Sequence, residues 1–209
     1  MNEVKKINTI ITGIILYAGT AVDLIIILMI FFAKLKKKDE IRQIYLGQFL
    51  GSGFLIFLSM IFAYLLHFVP NKELLGLLGL VPIFLGLKVL LGGEEGGEEL
   101  ANERLEQPKK INIVYTLAMI TAVSCGADNI GLFVPYFITL NFQKLIVTLI
   151  TFFVMIFLLV YSAQKIVNLP KIGEFLEKNS RWFISIVYIV LGIFILIENN
   201  SIELFKTLF

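Results

Sequence analysis

Ser124-Cys125-Gly126-Ala127-Asp128-Asn129 sits inside the apolar run from Ile111 to Leu140, and the reading of this stretch decides the fold. A charge placed at mid-bilayer costs about 2.5–3.5 kcal/mol on insertion scales, so an ionisable residue inside a span marks a functional site by default. The first apolar run, Ile7 to Ala33, carries a counterpart in Thr20-Ala21-Val22-Asp23. Two aspartates near the centres of two separate spans are what any reading must explain.

Around them the chain is overwhelmingly apolar. Its 209 residues are 58% hydrophobic and only 16% charged, with a mean hydropathy of +0.89. A soluble domain of this size cannot hide so much apolar surface, so the composition describes an integral membrane protein. In lipid the backbone must satisfy its own polar groups, which predicts an all-α bundle. The net charge of +2 comes without a basic stripe, which argues against a nucleic-acid partner. Cys125 is the only cysteine, so an intrachain disulfide and a Cys-x-x-Cys redox pair are both excluded. Lys5 and Lys6, followed by an apolar stretch and small residues at Ala18 to Ala21, look superficially like a signal peptide. The run continues through Phe31-Phe32, too long for one, and is expected to be a retained span.

A helix needs about 20 residues to cross the hydrocarbon core, and six runs approach that length. They are Ile7–Ala33, Gln43–Val69, Leu74–Leu91, the run opening at Ile111, Leu145–Ile166 and Trp182–Ile197. A tight turn is expected at Pro70-Asn71-Lys72-Glu73, and the one long polar segment runs from Gly92 to Lys110. The loops after spans one, three and five hold twelve lysines and arginines against five on the other side, with Lys88 counted on neither. That asymmetry puts both termini outside and the Glu-rich segment inside.

The two halves are alike. With Asp23 aligned on Asp128, Phe31-Phe32 falls on Tyr136-Phe137, and Val81-Pro-Ile-Phe-Leu-Gly-Leu matches Val187-Tyr-Ile-Val-Leu-Gly-Ile. Asp23 to Gly86 is 63 residues and Asp128 to Gly192 is 64. Three spans per copy must invert the second copy, which predicts residues 1–91 and 111–209 as two inverted three-helix repeats joined by a polar cytoplasmic linker, 92–110. Inverted repeats with midplane polar residues are typical of secondary transporters.

No lysine or arginine occupies the middle of a span, so a buried ion pair has no candidate partner for either aspartate. Two carboxylates sharing a dry site repel each other, and a divalent cation relieves that penalty; protons do the same when the cation leaves. Asp23 and Asp128 are therefore the leading metal ligands. Asn129 offers an amide carbonyl beside Asp128. On a continuous helix Ser124 lies four residues before Asp128, Cys125 three before it, and Thr20 three before Asp23, each on the carboxylate's face. Gly126, Pro135 and, in the first span, Gly19 are expected to loosen their helices and free backbone carbonyls. Ser124 and Thr20 suit ordinary helix packing equally well. Cys125 reads either as a soft ligand that favours soft or borderline metals over calcium or magnesium, or as a small packing residue. His67 is expected at the outer end of span two, Lys88 and Glu198 are close enough to helix ends to snorkel, and the glutamates from Glu94 to Glu106 read as a solvated linker.

At Cys125-Gly-Ala-Asp-Asn-Ile-Gly-Leu-Phe-Val-Pro-Tyr-Phe137 the chain resembles the CadD-type cadmium resistance transporters of the lysine-exporter (LysE) superfamily. Thr20-Ala-Val-Asp23, Gly47-Gln-Phe-Leu-Gly51 and Gly79-Leu-Val-Pro-Ile-Phe-Leu-Gly86 extend the likeness over most of the chain. The resemblance implies a multi-pass protein of a bacterial plasma membrane that exports cadmium, in some members with other divalent cations, with the span-borne aspartates at Asp23 and Asp128. No enzyme activity and no cofactor is expected, the metal being cargo, and homo-oligomer formation is left open. Amino-acid export, performed by related six-helix proteins, is the alternative; it must handle an ammonium and a carboxylate together, which two acids without a mid-span base suit less well. An intramembrane aspartyl protease is remote: the glycine directly before Asp128 is missing and Val22 stands where a tyrosine is expected.

Overall fold

The computed structural model describes residues 3–66, 77–92, 97–106 and 112–198, and among these the chain is helical with no strand. The helices are α1 (Glu3–Lys34), α2 (Lys38–Leu66), α3 (Leu80–Gly92, entered through a 3-10 turn at Leu77–Gly79), α4 (Gly97–Glu106), α5 (Ile113–Ser124), α6 (Gly126–Ile138), α7 (Phe142–Ile166) and α8 (Pro170–Glu198). Three of them, α1, α2 and α7, are long and apolar enough to cross a membrane singly, and α5 with α6 passes the same test as one bent pair. Leu77–Leu91 and Ile184–Ile197 are shorter apolar helices. The expected turn at Pro70–Glu73, and His67, lie outside the described residues.

Helix α1 is the hub. Of its most apolar window 56% is buried, against 33% for α2 and for α7, and it packs on α7, α8 and α4. Helix α2 in turn packs on α5 and α6, and α3 on α8. The outer faces carry Phe54, Phe57, Ile150, Phe153 and Val190, all more than half exposed, as a bilayer-facing surface requires. Capping decides where two helices start. The Asn112 and Asn141 side chains accept from the N–H groups of Tyr115 and Lys144, at 3.2 and 2.9 Å, and so satisfy open donors of α5 and α7.

Glycines set the closest approaches. Gly86 of α3 faces Ser185, Tyr188 and Ile189 of α8, while Gly192 of α8 faces Gly79 and Ile83 of α3. A Cβ on Gly86 would lie 2.9 Å from the Ser185 carbonyl oxygen, and one on Gly192 would meet the Gly79 carbonyl. Gly19 lets α1 reach Val187 of α8, and Gly131 lets α6 reach Val81 and Leu85 of α3.

Three expectations are corrected. α1 is continuous through Gly19, because the missing side chain there serves contact with Val187 and the helical ladder closes around it. α8 begins at Pro170, twelve residues before the apolar run at Trp182; proline at the first helical position costs no hydrogen bond, and the polar residues extend the helix beyond its apolar part. The Glu-rich segment is not a solvated linker throughout. Its part Gly97–Glu106 is a helix against α1 and α5, with Ala101 fully buried. Lys34 holds it through Asn102 Oδ1 at 3.1 Å and Glu106 Oε1 at 3.3 Å.

Candidate functional site

The apolar run from Ile111 is not one straight helix. It bends by 67° between α5 and α6, at Cys125, whose φ of −108° and ψ of 4° lie outside the helical basin. Serine, cysteine and glycine are all poorer helix formers than alanine, and here they follow one another. Two rungs bracket the break: Cys125 N–H donates to Thr121 O at 3.1 Å, and Asn129 N–H to Cys125 O at 2.9 Å. Between them, among the described residues, Gly126 and Ala127 send no backbone bond to the Ala122 and Val123 carbonyls. The Asn129 side chain reinforces the bend, its Nδ2 donating to the same Cys125 carbonyl at 2.7 Å. Asp128 falls in the first turn of α6, where the positive end of the helix dipole favours a carboxylate.

This geometry revises the face argument. Ser124 ends one helix and Asp128 begins the next, so neither Ser124 nor Cys125 shares a helical face with Asp128. What joins them is the break itself. Cys125 and Asn129 are buried at 3% exposure each, while Asp128 and Ser124 are half-buried. The Ser124 Oγ is shielded from solvent and has no hydrogen-bond partner among the described residues. Pro135 lies inside α6, which runs through it to Ile138, so the discontinuity is at Cys125 and not at the proline. On α1, Asp23 is half-buried and Thr20 fully buried, the threonine hydroxyl donating to Tyr17 O at 3.0 Å. Among the described residues no three of His, Cys, Asp and Glu converge as a closed metal cage.

A polar chain that the sequence reading missed ties α1 to the break. Tyr17 OH donates to Ser52 Oγ at 3.3 Å, Gln48 Nε2 to Ser52 Oγ at 2.8 Å, and Thr121 Oγ1 to Gln48 Oε1 at 3.1 Å. All four side chains are buried, and Thr121 stands one turn before Cys125, whose N–H donates to the Thr121 carbonyl. The Tyr17 ring stacks on Phe133 of α6, with centroids 6.5 Å apart, and lies against Phe152 of α7 at 5.4 Å. A buried amide costs heavily unless it is bonded, so Gln48 fixes the relation of α2 to α5. The available signal was a Gln and a Ser four apart in an otherwise apolar span.

The family model of the cadmium resistance transporters matches residues 17–208, nearly the whole chain. The chain belongs to the cadmium resistance transporter family. The match begins at Tyr17 and takes in both aspartates, the polar chain and the break. As a family of transporters it accords with a membrane protein that is not an enzyme. No curated protein and no solved structure matches the chain.

Proposed function

We propose that this protein exports divalent heavy-metal cations, chiefly cadmium, from the bacterial cytoplasm across the plasma membrane in exchange for protons. The observation that carries this reading is the break at Cys125. It leaves the Ala122 and Val123 carbonyls outside the ladder beside a first-turn aspartate, in a chain of the cadmium resistance family. Carbonyl ends of discontinuous helices are ion ligands in secondary transporters. In this reading Asp23 and Asp128 supply charge and Asn129 an amide oxygen. Cys125 adds a soft sulfur, and Thr20 and Ser124 add hydroxyl oxygens.

The proposal includes six crossings arranged as two inverted repeats with both termini outside. Reciprocal packing supports it. Gly86 meets Ser185 and Ile189, while Gly192 meets Gly79 and Ile83, and the 106-residue offset that maps Gly86 onto Gly192 maps Gly79 and Ile83 onto Ser185 and Ile189. Contacts exchanged in this way are what a two-fold relation between α3 and α8 produces. Likewise α1 packs on α7 as α5 packs on α2, first span on second span of the opposite half.

Uptake of radioactive cadmium into inside-out vesicles, beside a parallel lysine assay, tests the function. Proton-gradient-dependent cadmium uptake without lysine uptake is expected. Lysine transport without cadmium transport would replace the reading by amino-acid export, and cadmium uptake insensitive to the gradient would remove proton exchange.

A further inference from the structure

A cavity of ≈ 320 Å³ opens at the end of the bundle where α1 begins. Its lining comes from the first turns of α1, the last turn of α6 with the loop after it, the first turn of α7, and α8 near its end. Two ammonium groups, Lys5 and Lys144, border it, and no carboxylate of the described residues pairs with either. Asn8 and Thr12 add neutral donors. The Thr9 and Thr139 hydroxyls are already spent on the carbonyls of Lys5 and Tyr136, at 2.8 and 2.7 Å, and shape the wall. Lys144 also sits in the first turn of α7, so the positive end of that helix adds to the same corner.

We propose that this cavity binds an anionic phosphate group, carried by a membrane phospholipid. Two unpaired lysines with amide and hydroxyl donors match a group that accepts charge-assisted hydrogen bonds on several oxygens. The same set repels a divalent cation, so the cavity is separate from the cadmium path. The choice of a lipid follows from the rim: Ile11 is 49% and Phe194 39% exposed, which gives acyl chains an apolar flank beside the polar floor. A lysine near a membrane surface attracts anionic lipid at roughly 1 kcal/mol, and here two act on one group.

The test uses the full chain purified in mild detergent, with lipid binding read by native mass spectrometry. Phosphatidylglycerol is expected to bind in preference to phosphatidylcholine by on the order of tenfold. The paired change Lys5→Gln with Lys144→Gln should abolish that preference and leave cadmium transport and elution volume unchanged. Lys36→Gln with Lys38→Gln, at the opposite end of α1, should leave the preference intact. Inorganic phosphate binding with the same lysine dependence, but no preference for phosphatidylglycerol, would keep the phosphate site and make its source soluble. Equal binding of the two lipids without phosphate binding would overturn the proposal. So would a preference that survives the Lys5 and Lys144 changes, or one lost equally in the Lys36 and Lys38 variant.

Discussion

Helix α1 and the α5–α6 pair each carry one of the two intramembrane aspartates, yet they present them differently. α1 runs unbroken for 32 residues, so its backbone is bonded to itself around Asp23, and only side chains are available to a ligand there. In the other pair the ladder opens three residues before Asp128, and backbone oxygen becomes available beside the carboxylate. The glycines divide the same way. Gly19 is buried against Val187 and serves packing, whereas a Cβ on Gly126 would meet only Leu55 Cδ2 at 3.7 Å. One half of the proposed site is thus a continuous post with a charge on it, and the other is a joint.

The largest expected effect comes from removing either charge. Asp23→Asn and Asp128→Asn should each abolish cadmium tolerance in cells while membrane expression stays normal; full tolerance in both variants would end the two-carboxylate site. The difference between post and joint is tested by Gly19→Ala against Gly126→Ala. The first forces a methyl into Val187 and should destabilise the purified protein by about 1–3 kcal/mol, as overpacking does. The second adds a methyl at ordinary contact distance in a helical conformation and should stay within about 0.5 kcal/mol. Thermal unfolding in detergent measures both, and the reverse order would make Gly126 the determinant of the bend. The smallest effect is in selectivity. Cys125→Ser should narrow the preference for cadmium over manganese in vesicle competition by a few-fold, since a hydroxyl is a harder ligand than a thiolate. An unchanged ratio would return Cys125 to packing.

The apolar runs and the two central aspartates were legible in the sequence because burial in lipid demands length and composition, both of which can be read along the chain. α1, α2 and α7 follow their runs closely. The bend was only half legible. Ser124-Cys125-Gly126 disfavours a helix weakly residue by residue, but the angle depends on the Asn129 amide reaching back to Cys125 O and on α2 packing against both arms. The Tyr17–Ser52–Gln48–Thr121 chain was hidden for another reason. It closes contacts between residues 35 and 73 positions apart, and no local pattern reports who meets whom at that separation. The helix at Gly97–Glu106 escaped because its glutamates dominate the composition, while its docking rests on Ala101, on the partly buried Leu100 and Leu105, and on Lys34 some seventy residues away.

The two backbone rungs missing at Ala122 and Val123 have a consequence for water. Hydrocarbon offers a carbonyl no donor, and an open ladder at membrane depth is tolerated only inside protein or beside a hydrated cavity. In the proposed transport reading the joint lines a hydrated cavity when cargo is absent. In that reading water hydrates both carbonyls, and an arriving ion exchanges part of its own hydration shell for the oxygens that water leaves.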